Sequence, residues 1–254
     1  MKNEPIIIVA GEPNSVFLEI FFKSIKKKQI KNPLVLICSL KVLKFHMKKL
    51  NFKKQIRSLD PYKANFRNLN NKYINLIDVK YNLNYSFEKI TKNSKNYIKK
   101  SFDIAFELIK LGASKRLING PISKKNFLNK NHLGMTEYIS EKFSIKKSAM
   151  LIFNRKLSVC PLTTHLPIKK VSQKINKKNI KEKAFLVNTF YKLKLGFKPR
   201  IGVLGLNPHC ESVDSFNEDE KIIKPAINDL KNNGYKISGP YPADTIFLKN
   251  NRDK

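Results

Sequence analysis

The sequence predicts an α/β fold with a mainly parallel sheet. Three observations carry that reading. Short apolar runs alternate with amphipathic segments of ten or more residues, the pattern of βαβ units. The first runs, Pro5–Ala10 (PIIIVA) and Pro33–Cys38 (PLVLIC), are apolar throughout rather than alternating, as strands buried on both faces must be. Polar turns containing Gly, Pro, Asn or His follow several of the runs, where open α/β sheets bind their ligands.

Element by element, Pro5–Ala10 reads as a strand, Gly11-Glu12-Pro13 as a turn and Ser15–Lys27 as a helix. Pro33–Cys38 is the second strand, Leu40–Leu50 a lysine-rich helix and Tyr73–Val79 a further strand. Thr91–Leu111 places Ile98, Phe102, Ala105, Phe106 and Ile109 on one helical face, and Gly112 stops it. Arg116–Ile118 is a short strand running into Asn119-Gly120-Pro121. Ala149–Phe153 and Leu157–Leu162 are apolar, strand-like runs. Helices are predicted near Lys169–Ile175 and Lys178–Leu195, a strand over Arg200–Leu206, and a helix over Glu218–Asn232 closed by Gly234. Tyr241–Lys254 holds one turn or short helix and then a polar run, with no strand–helix unit to close the sheet. The segment Gly120–Gly134 is the weakest join, which gives an N-terminal lobe of 1–125 and a second lobe of 126–254.

Composition narrows the function classes. The 254 residues can bury a substantial core, and 41% hydrophobic content is that of an ordinary globular chain. No apolar stretch is long enough to span a membrane, and the start, MKNEPIIIVAGEP, reads as a strand rather than a secretory signal. Three cysteines, Cys38, Cys160 and Cys210, are too few and scattered for a disulfide framework, which points to a reducing, cytoplasmic setting. The formal charge is +32, yet only six of 51 basic residues are arginine, the residue that nucleic-acid readers use for bidentate contacts. The lysines spread over the whole chain together with Asn and Ile, as an AT-rich coding sequence would produce. The charge is therefore read as drift, with no specific nucleic-acid partner and no membrane.

Three polar clusters follow strand-like runs. Asn119-Gly120-Pro121-Ile122-Ser123-Lys124 could open a helix towards an anion, with Lys124 as a phosphate contact. Thr163-Thr164-His165-Leu166-Pro167 and Leu206-Asn207-Pro208-His209 each carry a histidine beside a proline. His165 and His209 could share one divalent metal, or each could be a loop histidine bonded to backbone. His46 lies in a lysine-rich helix and reads as solvated; His132 is open to either role. Asp244 could act as an acid or base or cap a helix. Gly11-Glu12-Pro13 lacks the further glycines of a dinucleotide fingerprint and reads as a turn.

In order, GEP, NGPISK, LGMTEYI, TTHLP, GLNPH and GPYPADTIF resemble the motifs of the 4-hydroxythreonine-4-phosphate dehydrogenase family, across essentially the whole chain. The resemblance implies an isocitrate/isopropylmalate dehydrogenase-like α/β/α fold and a homodimer with active sites at the subunit interface. It implies NAD and a divalent metal (zinc, magnesium or cobalt) as cofactors, and oxidation of 4-phosphooxy-L-threonine followed by decarboxylation in pyridoxal phosphate biosynthesis. It makes His165 and His209 two of three metal ligands, Thr136 a substrate-binding residue and Asp244 a catalytic residue; no residue is assigned to the cofactor. The second lobe becomes the metal-binding and dimerisation lobe. Met135 stands where the family has histidine, which favours another phosphorylated four-carbon hydroxy acid as an alternative substrate. The family's third metal histidine, its later Lys, Asn and Arg contacts and much of its NAD site fall beyond Lys254. On the resemblance, the closing C-terminal segment is lacking, and a non-catalytic metal- or ligand-binding remnant is the other alternative.

Overall fold

The computed structural model describes residues 4–27, 29–82, 92–128, 132, 134–212 and 215–248. The chain divides into two compact units, residues 1–132 and 133–254.

The first unit is built on five parallel strands: β1 (Ile6–Val9), β2 (Leu34–Cys38), β3 (Ile56–Ser58), β4 (Ile74–Asp78) and β5 (Leu117–Asn119), in the order β3-β4-β2-β1-β5. All five residues of β2 are buried because it lies mid-sheet with a neighbour on each side, Leu36 pairing in register with Ile8 and Leu76. The edge strands β3 and β5 are half-buried or exposed, whereas β4 buries its first four residues, the polar Asn75 included. Helices α1 (Phe17–Lys27), α2 (Leu40–Lys49) and α3 (Lys92–Lys110) make the crossovers. Progression along the sheet reverses between the α1 and α3 connections. Right-handed crossovers therefore put α1 and α2, which pack together, on one face, and α3, which packs on β1 and β2, on the other.

Helix α3 buries Ile98, Phe102, Ala105 and Phe106 as its spacing predicts. Leu108, 1% exposed, takes the inner place expected of Ile109, which is half-buried. The helix ends in a left-handed Gly112 (φ 77°): Gly112 N–H bonds to Ile109 O and Ala113 N–H to Leu108 O, satisfying the last carbonyls. His46 corrects an expectation. It is 7% exposed rather than solvated, because α2 turns that face inward against the loop after β1.

The second unit starts with α5 (Met135–Lys142), which follows the short α4 (Lys124–Phe127) of the first unit. Its core joins α6 (Lys177–Phe190), α7 (Lys224–Asn232) and the parallel pair β6 (Ile201–Leu204) and β7 (Ile237–Tyr241) through Ile180, Ala184, Ile223, Ala226, Ile227, Leu230 and Ile237. A π-helical turn extends α6 over Tyr191–Leu195, and another, Asp219–Ile223, leads into α7.

Several expectations differ here. Ala149–Phe153 and Leu157–Leu162 do not form strands; they meet in one antiparallel bridge, Ile152 to Val159. Two short segments with no third strand among the described residues cannot hold a ladder, and Ile152 and Phe153 remain 62% and 46% exposed. The helix expected near Lys169–Ile175 is two 3₁₀ turns, Ile168–Lys170 and Ser172–Lys174. Strands β3 and β7 and helix α5 are additions. The sequence ISGPY of β7 carries a glycine and a proline and resembles a turn. The polar run expected to end the chain lies, from residue 249, outside the described residues.

Candidate active site

In the first unit, the turns after β1 and β5 leave the sheet towards opposite faces, the arrangement of a topological switch point. They are bonded together: Glu12 N–H donates to Pro121 O (2.8 Å) and Ser123 N–H to Glu12 Oε1 (3.3 Å). Gly11 is left-handed (φ 78°), and a Cβ there would run into the Pro121 carbonyl oxygen. Ser123 caps α4, so the NGPIS turn does open a helix; Lys124 is exposed at its start.

The other candidates lie in the second unit. Gly134 caps α5 without a side chain, which leaves the first turn (Met135, Thr136, Glu137) open to a neighbouring segment. That neighbour is the TTHLP turn. Thr164 Oγ1 donates to Glu137 Oε1 at 3.4 Å. A Cβ on Gly134 would stand 2.9 Å from Glu137 Oε2 and 3.4 Å from His165 Nε2. His165 and the half-buried Thr136 are thus brought to the same helix start.

The LNPH turn is held from the other side. Leu206 N–H and Asn207 N–H donate to the two carboxylate oxygens of Asp219 at 2.8 and 3.0 Å, and Asn207 Nδ2 adds a bond of 3.0 Å. Asn207 Nδ2 also reaches Glu218 Oε2 at 3.1 Å. Asp219 is wholly buried. Gly205 N–H bonds to Tyr241 O (2.9 Å), which sets the end of β7 and the turn bearing Asp244 beside this loop. Burial pushes the Cys210 thiol up, and the carboxylates of Asp219 and, less strongly, Asp244 push the same way. Asp244 therefore lies within electrostatic reach of the residue next to His209, and its own carboxylate is exposed.

His165 (φ 56°), His209 (φ 55°) and Cys210 (φ 63°) all adopt left-handed backbone. For residues with a Cβ this costs roughly 1–2 kcal/mol each, strain that persists only where the surroundings over-determine it. Both imidazoles are exposed, and both turns rise from one core: Leu162 and Leu206, each three residues before its histidine, pack on the same cluster. Imidazole pairs suit borderline divalent ions in kind. In number they fall short, because a catalytic ion takes three protein ligands and the described residues gather no set of three His, Cys, Asp or Glu.

Glu137 and Asp219 escaped the sequence reading. Each is an acid in the first turn of a helical segment, a signal usually explained by the helix dipole. What sets them apart is the loop each one holds, and this depends on the folded chain.

Comparison with known proteins agrees with this architecture. A family model described as pyridoxal phosphate biosynthetic protein PdxA matches residues 29–254. A 4-hydroxythreonine-4-phosphate dehydrogenase of Sulfurihydrogenibium sp. (strain YO3AOP1) is 31% identical over 252 residues, covering 95% of this chain and 75% of the relative. A D-threonate 4-phosphate dehydrogenase of Salmonella typhimurium (strain LT2) is 27% identical over 258 residues, 98% of this chain and 78% of its own. The crystal structure of a 4-hydroxythreonine-4-phosphate dehydrogenase from Burkholderia phymatum superposes with a TM-score of 0.77 at 25% identity, covering 98% of this chain and 77% of that one. The parallel α/β architecture and these relatives define an oxidoreductase of the dehydrogenase class. Within that class, the chain belongs to the PdxA family of pyridoxal phosphate biosynthetic proteins.

Proposed function

We propose that the protein oxidises 4-phosphooxy-L-threonine with NAD and a divalent ion (zinc, magnesium or cobalt), the oxidised product then losing carbon dioxide. The observation that carries this reading is the placement of His165 at the open first turn of α5, beside Thr136 and Glu137. The uncapped amides of that turn and the Thr136 hydroxyl suit an anionic substrate group. His165 and His209 would supply two of the ion's ligands. Asp244 would accept the proton of the substrate hydroxyl as the hydride departs, turning the secondary alcohol into a ketone β to a carboxylate. When bound, the ion supplies polarisation of that oxygen and the nicotinamide supplies the hydride acceptor.

We read the fold as the isocitrate/isopropylmalate dehydrogenase type, with residues 126–254 as the metal-binding and dimerisation lobe. Ile152, Phe153, Phe190, Leu193 and Phe197 are all exposed, and the rings of Phe153 and Phe190 lie 6.2 Å apart. This apolar surface supports a homodimer with the active site at the interface. Among the described residues no helix is long and apolar enough to cross a membrane. A cytoplasmic location and the absence of a specific nucleic-acid partner belong to the same reading. DNA retained at low salt should therefore be released as salt rises, as phosphate-driven binding requires.

A second reading takes D-threonate 4-phosphate as the substrate. It is favoured by the Salmonella typhimurium relative, which aligns with 98% of the chain, and by Met135 beside Thr136. The test follows NADH formation with each substrate and added zinc, magnesium or cobalt. Faster turnover of 4-phosphooxy-L-threonine, abolished by His165→Ala or His209→Ala, is expected. Preference for D-threonate 4-phosphate establishes the second reading, and turnover of neither overturns both.

A further inference from the structure

The LNPH turn poses a physical problem. His209 and the buried Cys210 are consecutive left-handed residues, neither is glycine, and His209 is exposed. Something at the start of the turn must fix it. Asp219 is that group. Its carboxylate is wholly buried, an expensive place for a charge, and it accepts three N–H bonds, all from Leu206 and Asn207. Its own N–H is held by Asn217 Oδ1 at 2.8 Å, so the acceptor is anchored before it binds the turn. Gly205 leaves the room, since a Cβ there would stand 2.9 Å from Asp219 Oδ1. Beyond Asn207 the chain closes through Cys210 N–H to Asn207 O (3.0 Å) and Glu211 N–H to Pro208 O (3.1 Å), so a shift at Asn207 is carried to His209.

We propose that Asp219 is a positioning residue: it fixes the Leu206–Asn207 backbone and through it the location of the His209 imidazole. The inference rests on His209 being a working residue. The test uses the whole protein, with zinc ion alone as the probe. Asp219→Asn keeps the shape but can turn an amide N–H₂ against the two backbone N–H groups. Removing a bond to a buried charge predicts about a tenfold or greater loss of zinc affinity. Amide exchange at Leu206 and Asn207 should speed up selectively, and the His209 ring resonances should move. Adding Cys210→Gly, which accepts positive φ freely, should restore part of the lost affinity, while the exchange at the two amides and the His209 ring resonances separate positioning from a general loss of stability. Native zinc affinity, or native exchange at those two amides, in Asp219→Asn overturns the proposal. If His209→Ala binds zinc like the wild type, the metal reading fails instead. The positioning role then stands or falls on the exchange and ring resonances alone. Should Asp219→Asn not fold, Asn207→Ala removes one donor and leaves the carboxylate. A smaller loss in the same direction supports the role, and unchanged affinity and exchange overturn it.

Discussion

The imidazole of His165 and the bare Cα of Gly134 face one another: a Cβ built on the glycine would meet Nε2 at 3.4 Å and the Glu137 carboxylate at 2.9 Å. Gly134 is extended (φ −164°), so alanine there brings no backbone strain and acts only through that contact. Glu137 can retreat, but doing so weakens its bond from Thr164 and loosens the TTHLP turn. Gly134→Ala should therefore cost under about 1 kcal/mol of stability, near the value of a poorer cap, while lowering turnover or zinc affinity several-fold. Thermal melting and zinc titration, read side by side, check the split.

Gly205 presents the opposite case. A Cβ there would lie 2.6 Å from Cys210 Sγ and 2.9 Å from Asp219 Oδ1, and both neighbours are buried. Neither can move without disturbing the LNPH turn. Gly205→Ala should destabilise by roughly 1–3 kcal/mol, the usual cost of overpacking. Cys210→Ala in the same chain should recover part of it by removing the sulfur. Melting of the single and double variants is the measurement.

Thiol reactivity should rank the cysteines. Cys38 in β2 is wholly buried; burial and then the charge of Asp78 push its thiol far above the usual range. Cys160 is half-buried, and the nearby Lys183 partly opposes its upward shift. In the native protein a thiol reagent should modify Cys160 first, and Cys38 only on unfolding, because the thiolate is the nucleophile. Mass spectrometry of the modified peptides would show the order, and equal rates would contradict the placement of β2.

Acid should destabilise the first unit through His46. Burial lowers its pKa; a bond to the Pro13 backbone opposes this, and Lys49 adds to the lowering. The unfolded chain therefore binds a proton that the folded chain refuses. The resulting stability is complete above the unfolded value of about 6.5 and is lost as pH falls towards the lower folded value. His46→Leu should flatten the melting temperature across that window. The exposed Lys181–Asp229 pair, which holds Asp229 below the ordinary carboxylate range, should be lost only at lower pH and should persist in the variant.

The sequence by itself determined four of the five strands of the first unit's sheet, all but β3, and where the polar turns fall. Continuous apolar runs such as Pro33–Cys38 can only be buried strands when helices of regular period lie between them, so the signal is local. The same reasoning marked TTHLP and LNPH, because Pro and His after an apolar run are visible in order. Tertiary structure alone decided the rest. Ala149–Phe153 and Leu157–Leu162 have strand composition, but among the described residues no third strand pairs with them, and pairing is a property of neighbours. His46 is buried in a lysine-rich helix because the lysines around it face outward while its own face packs on the turn after β1. Glu137 and Asp219 gave no sequence signal beyond an acidic helix start. Their effect depends on a hydroxyl 27 residues away and on amides 12 and 13 residues away, groups that meet only once the second unit has folded.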